Sequence, residues 1–366
     1  MVATELGIAL AKKGHQVHFI SYSQPVRLDF FSENLFYHEV SVSDYPLFDY
    51  PPYELVLASK LVDVVKYEKL DLLHVHYAIP HASAAYMAKQ ILASQGIFIP
   101  FITTLHGTDI TLVGKDASFE PVITFVINQS DEVTTVSESL KQDTYKHFNV
   151  TRDIKVIPNF INLEEHIFEK NDCLKKSYAP LGEKILVHIS NFRKVKRIED
   201  LIMVFGNVRK MMPVKLILVG DGPERNHIEK LCRDLALIND VKFLGKVTNP
   251  EQILSVADLF LLTSETESFG LAALEAMVAR VPVISSNTGG LPEVNKNGFS
   301  GFLSKVGDVE EMTKNSLFIL KDENVLNQFK SNAYEQAKKF DIKKILPIYE
   351  ALYEGILKPS PLTIHQ

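Results

Sequence analysis

The sequence predicts an α/β protein of two doubly wound, Rossmann-like domains with parallel sheets, and three observations carry that reading. Short apolar runs rich in Val, Ile and Phe alternate from residue 15 onward with longer stretches of helical periodicity, the mark of repeated βα units. Two sets of six such runs occur, too many for one ordinary open sheet at this spacing. A polar stretch over 162–182, broken by Pro180 and Gly182 and without a strand pattern, separates the sets as a linker. The length of 366 residues suits two domains of similar size.

The strands of the first set are expected at 17–21, 35–42, 72–76, 101–105, 132–137 and 154–158. Those of the second are expected at 184–190, 214–220, 241–245, 259–264, 281–286 and 301–304. The first domain then covers 1–163, the second 164–340, and a C-terminal helix and tail 341–366, the two domains facing a central cleft with ligands at the carboxyl ends of the strands. In the C-terminal helix Ile342, Ile345, Leu346, Tyr349, Leu352 and Tyr353 recur at helical spacing. That face must pack on a core, but the sequence does not say which. Residues 358–366, with two prolines, are expected to fray. At the other end Val2, Leu6 and Leu10 describe a helix that closes at Gly14 and runs straight into the strand at 17–21. A doubly wound domain ordinarily opens with a strand and a glycine-rich turn before such a helix. The first domain is therefore expected to lack both, and the chain as written to be less stable and less active than one extended upstream.

Composition narrows the function. With 46% hydrophobic and 23% charged residues the chain is neither disordered nor fibrous. A formal net charge of -6 gives no basic footprint, so neither nucleic acid nor stable membrane association is expected. Cys173 and Cys232 are too few for a disulfide framework or a thiolate metal site, and no 18-residue apolar run or export leader is visible. A cytoplasmic protein fits these facts, and self-association into a homo-oligomer stays open.

The most specific constellation is Glu267-Ser-Phe-Gly-Leu-Ala-Ala-Leu-Glu275, directly after the run 259–264. A helix starting near Phe269 would aim free N–H groups at a diphosphate, with Glu267 beside it and Glu275 placed to accept hydroxyl hydrogen bonds. Next, four cations fall within five residues after the run 184–190. Of these, Arg193 and Lys196 are expected to face inward and neutralise the same anion, the alternative being a solvated basic loop. Gly220-Asp-Gly222-Pro and Thr288-Gly-Gly290 follow two more strands and are weaker signals that read equally as turns. In the first half His106-Gly-Thr108-Asp follows one strand and Tyr77 another, polar groups at strand ends. His74 and His76 share a strand face, but no third ligand stands at a diagnostic spacing and no Asp-x-Asp pair occurs. No metal is expected, and no other cofactor.

Taken together these residues resemble family 4 of the retaining glycosyltransferases, which have the two-domain GT-B fold, and the resemblance covers nearly the whole chain. Glu267 to Glu275 looks like that family's Glu-x7-Glu motif, and Arg193 and Lys196 look like its diphosphate-binding cations. The family's usual Gly-Arg-Leu opening is here Ser190-Asn191-Phe192, so the first cation must be Arg193. HVHYAIPHA (74–82), TLHGTDITLVG (104–114), SNFRKVKR (190–197) and ESFGLAALEAM (267–277) are similar to a subgroup that begins bacillithiol synthesis. The resemblance implies UDP-N-acetylglucosamine as donor, L-malate as acceptor and retention of configuration. It implies catalytic roles for His106, Arg193, Lys196 and Glu267. Donor contacts would come from Asn191, Gly222, Ser268, Phe269, Gly270, Leu271 and Glu275, and acceptor contacts from Tyr77, Thr104 and Thr108. Arg152 and Lys115 are the cations considered for the malate carboxylates. A related transferase with another donor or acceptor, and a silent UDP-sugar-binding protein, are the alternatives. A dinucleotide oxidoreductase lacks its G-x-G-x-x-G.

Overall fold

The computed structural model describes residues 2–25, 28, 32–42, 50–112, 114, 116–166 and 171–358. The expected tail at 359–366 and the candidate Lys115 lie outside the described residues. The chain divides into unit 1, Met1–Phe160 with Ile342–Gln366, and unit 2, Ile161–Asp341.

In unit 1 the helix Val2–Lys12 ends at Gly14, as its sequence requires, and β1 (Val17–Ser21) pairs in parallel with β2 (Leu35–Glu39). A second parallel sheet runs in the order β3 (Leu73–His76), β4 (Phe101–Leu105), β5 (Glu132–Thr135) and β6 (Ile154–Val156). The helices Tyr53–Glu68, Ser83–Ser94, Glu120–Gln129 and Glu138–His147 fall between these strands, so βα units repeat. Strand β4 is buried along its whole length, which explains its continuous apolar and Thr sequence in place of alternation. The C-terminal helix Ile342–Leu357 belongs to this unit, with Tyr349 buried against the rings of His74 and Phe160.

Unit 2 holds one six-stranded sheet formed by β7 (Lys184–Ile189), β8 (Val214–Val219), β9 (Val241–Gly245), β10 (Leu259–Leu262), β11 (Val283–Ser286) and β12 (Gly301–Ser304). Its order is β12-β11-β10-β7-β8-β9, every pair parallel. The order turns around between β7 and β10, so the loops leaving these two strands part to opposite faces and open a crevice at their carboxyl ends. Leu186, Leu216, Leu259 and Ile284 from the sheet and Phe205, Ile319 and Phe329 from the covering helices form its buried core.

All twelve expected strands form, several ending earlier than the apolar run because the last residues leave the ladder to build loops. The expected linker over 162–182 is corrected in part: it contains the helix Asp172–Tyr178, capped by the Asn171 side chain on Leu174 N–H. Lys175 from that helix pairs with Asp258, which Lys330 also holds. Burial raises the Asp258 pKa, but the two lysines prevail and keep it below the ordinary range.

Candidate functional site

In unit 2 the switch point brings the two strongest sequence signals together. Lys196, on the loop after β7, places Nζ 2.6 Å from Glu267 Oε2 on the loop after β10, both side chains largely buried. Ser264 Oγ donates to the same carboxylate at 3.2 Å. The loops are also joined through their backbones: Thr263 Oγ1 donates to the carbonyls of Lys196 and Arg197, and Glu265 N–H donates to that of Val195. The four cations divide their work. Arg197 turns to Asp200 at 2.6 Å, Lys196 holds Glu267, and Arg193 and Lys194 are exposed. Arg193 has no ion-pair partner among the described residues, which leaves its guanidinium available to an anion.

The glycine-rich turns buttress this loop pair. Gly290 N–H donates to the Glu267 carbonyl at 2.9 Å, and a Cβ on Gly289 would lie 2.0 Å from that same oxygen, so only glycine admits the contact. Gly222 is similar: a Cβ there would stand 2.6 Å from the Phe192 carbonyl. Its missing side chain is used by the Phe192 backbone, so this glycine also supports the 190–197 loop. Asn191, exposed, and Ser268, half-buried, sit on the loops themselves.

The helix expected near Phe269 starts two residues later, Leu271–Val278, because Gly270 stands before it in the left-handed region at φ 98°. The Phe269 ring is buried edge-on against Phe340, so its side chain serves the core. The first N–H used inside the helix is that of Leu274, which donates to the Gly270 carbonyl; the N–H groups before it point out of the helix start. Glu275 lies half-buried about one turn along.

His188 carries no sequence signal beyond being a polar residue inside a buried strand. It is fully buried, with Nδ1 2.8 Å from the Leu261 carbonyl and Nε2 2.7 Å from Ser190 Oγ, so it ties β7 to β10 where the 190–197 loop begins. Burial pushes its pKa down to about 4.

In unit 1 the carboxyl ends of β3 and β4 carry a ladder of rings. His74 stacks on His76 and His76 on His106, with centroids 4.7 and 5.0 Å apart, and Tyr77 covers His106 at 5.0 Å. His76 Nδ1 and His106 Nε2 are 2.7 Å apart, which leaves His106 Nδ1 for another partner. At the inner end His74 contacts Tyr353 Oη through Nδ1 and Thr104 Oγ1 through Nε2, both at 2.7 Å. Burial lowers His74 to about 3 and His106 to about 4, and holds His76 well below the ordinary histidine range. The ladder is therefore neutral at neutral pH, and His106 works as a hydrogen-bonding group with no positive charge.

Thr104, expected at the acceptor, is fully buried, with its hydroxyl 2.6 Å from Thr134 Oγ1 as well as bonded to His74. This corrects its role, since it holds the base of the ladder and has no free face for a ligand. Thr108 is exposed beside it, while Arg152 spends its Nε–H on the Asn128 carbonyl. Asp109, named in the sequence only as part of a motif, proves central. Its buried carboxylate accepts from Ala78 N–H at 2.9 Å and Gly107 N–H at 3.0 Å, clamping the two loops that present Tyr77 and His106. Burial raises its pKa. The clamp helps hold Tyr77 at φ 78°, a strained backbone state for a residue with a side chain.

Unit 2 thus offers cations, a carboxylate pair and helix-start N–H groups, a set suited to an anionic ligand that also carries hydroxyls. Residues 170–336 match the family described as Glycosyl transferases group 1, and residues 1–165 the Glycosyltransferase Family 4. The chain is 46% identical to an N-acetyl-alpha-D-glucosaminyl L-malate synthase of Bacillus anthracis, over 98% of this chain and 94% of that one. Among solved structures it resembles a sucrose-phosphate synthase from Thermosynechococcus elongatus, with a TM-score of 0.78 and 22% identity over 97% of this chain and 92% of that one. It also resembles HepE of Anabaena in complex with UDP-glucose, with a TM-score of 0.77 and 22% identity over 96% and 95% of the two chains. These two likenesses place both units in the GT-B fold.

Proposed function

The chain belongs to family 4 of the glycosyltransferases, and from that membership we propose that it moves N-acetylglucosamine from UDP-N-acetylglucosamine to the hydroxyl of L-malate, with retention of configuration, the first step of bacillithiol synthesis. The observation that carries the substrate pair is the near end-to-end likeness to the Bacillus anthracis synthase. Site geometry supports the donor half of the reading.

Unit 2 binds the donor. Arg193 and Lys196 neutralise the diphosphate, with the N–H groups around Gly270 and Leu271 adding partial positive charge. Lys196 is held by Glu267; donor binding draws the lysine to the diphosphate, and the released carboxylate accepts a sugar hydroxyl. Glu275 accepts from the ribose, and Asn191 and Ser268 line the same loops. Charge on the departing UDP grows during bond breaking, and these preset groups stabilise it most at that moment. Unit 1 supplies the acceptor side: neutral His106 offers Nδ1 to the donor sugar near its reacting carbon, and Tyr77 and Thr108 contact the acceptor.

Membership in the retaining family favours transfer on one face, with Glu267 engaged by Lys196 and Asp109 by two backbone N–H groups. The bond from the anomeric carbon to the diphosphate breaks, and the malate oxygen bonds to the same carbon from the same side. The leaving phosphate oxygen takes the malate hydroxyl proton. The reaction needs no metal for this charge balance, because protein cations meet the diphosphate, and the enzyme works in the cytoplasm. Among the described residues no helix is long and apolar enough to cross a membrane.

The test is UDP release from UDP-N-acetylglucosamine, measured with L-malate and with inositol phosphate or a lipid as acceptor, with and without a chelator. Malate-dependent release supports the reading. Release only with another acceptor replaces the substrate, and UDP binding without any release marks a silent binding protein.

A further inference from the structure

In unit 1, three chemistry-bearing side chains from three elements meet. His18 is the second residue of β1, His38 the fourth of β2, and Glu68 the last of the helix Tyr53–Glu68 that leads into β3. The strand register pairs Ile20 with His38, which sets His18 and His38 diagonally on one face of the ribbon. His18 Nδ1 and His38 Nε2 are 2.9 Å apart, and one ligand atom from each of the three residues lies within 4.8 Å of the other two.

A hydrogen bond between the rings accounts for one proton and leaves the convergence with a carboxylate unexplained. The Glu68 carboxylate beside the pair supplies a third possible ligand atom from a third element. Burial lowers the pKa of both histidines, although the Glu68 charge pulls the other way. Two neutral imidazoles and a carboxylate are the donor set of a zinc-class ion with open positions for water.

We propose that His18, His38 and Glu68 form a binding site for a divalent transition-metal ion, which staples β1, β2 and the helix Tyr53–Glu68 together. Tetrahedral coordination needs the two nitrogens about 3.3 Å apart, roughly 0.4 Å more than their 2.9 Å separation, a small rotation for a half-buried ring. Glu68 balances part of the ion's charge against the nearby Lys60, whose field also reaches His38. The site is independent of the glycosyl-transfer reading and uses none of its residues.

The experiment titrates metal-free full-length protein with Zn2+ alone against a chromophoric chelator, and with Co2+ alone to read the coordination geometry by absorption. The expected result is one ion per chain, tetrahedral cobalt bands and a higher thermal midpoint with zinc. Affinity should fall about a hundredfold or more in H38Q and H18Q, removal of a ligand costing at least as much as removal of its support. Glu68 is exposed, so E68Q folds normally and should weaken zinc at least about tenfold even if a histidine variant does not fold. Failure of the folded parent to bind one ion overturns the proposal. So does zinc binding of unchanged strength in E68Q and H38Q, which would assign the metal to Cys173 or Cys232.

Discussion

At the carboxyl ends of β7 and β10 the functional groups are charged and face each other directly, Lys196 against Glu267 with Arg193 open beside them. At the ends of β3 and β4 they are neutral rings stacked on one another and held from below by Thr104, Tyr353 and the Asp109 clamp. Both are strand-end sites on the same layered architecture, yet they are tuned by opposite means. Unit 2 keeps its charges by pairing them across the switch point. Unit 1 keeps its rings neutral by burying them. The difference suits a reaction in which one side must absorb negative charge on a leaving diphosphate while the other must orient neutral hydroxyls without competing for it.

The largest expected effect breaks the charged side. Glu267→Gln leaves the shape but removes the charge that pairs with Lys196 and weakens the acceptor proposed for the sugar hydroxyl, so kcat should fall about a hundredfold or more. Steady-state kinetics by UDP release checks it, and near-parental activity would remove Glu267 from the site. Arg193→Ala should weaken UDP binding roughly tenfold to a hundredfold, the worth of a charge-assisted hydrogen bond or two, without altering the fold because the side chain is exposed. Calorimetric titration with UDP reads this directly.

The neutral side is sharpened by pH. His74 and His106 have folded pKa values of about 3 and about 4, below the unfolded value near 6.5. Above about pH 6.5 both states are neutral and the full stability is present. As pH falls toward about 4 the unfolded chain takes up protons that the folded ladder refuses, so stability is lost with falling pH. Urea unfolding at about pH 7.5 and about pH 5 should show this slope, and His76→Asn should flatten it. Limited proteolysis at the lower pH should cut unit 1 first, since unit 2 has one such histidine, His188. Cleavage of unit 2 first would show that the ladder does not govern acid stability. The smallest effect belongs to Tyr353→Phe, which removes one hydrogen bond to His74 and should lower stability by about 1 kcal/mol. Thermal unfolding followed by circular dichroism measures it.

Much of unit 2 was legible because its chemistry is local in sequence. Each signal sits on one strand-end loop, and a doubly wound order brings such loops together without further information, so Lys196 and Glu267 could be named before their contact was known. Unit 1 was less legible. His76, Thr104 and Asp109 stood in motifs, but their work depends on partners about 30 positions away, which no motif names. The packing of Gly222 against the Phe192 backbone and of the Phe269 ring against Phe340 was not legible, because a glycine near a helix start and an aromatic at a turn carry the same pattern whatever they face.

The sequence by itself determined the βα repeat, the two parallel-sheet units, the family and which charged residues stand on the loops after β7 and β10, since each follows from periodicity or from a short motif read along the chain. Only the tertiary structure decided that the helix Ile342–Leu357 returns to unit 1 and props the histidine ladder, that Lys196 is held by Glu267 and Arg197 by Asp200, and that His18, His38 and Glu68 converge. The physical reason is the same in each case. Which strand lies beside which, and which side chains then share a buried face, depends on packing between segments far apart in the chain, and a linear pattern carries the requirement to pack but not the address.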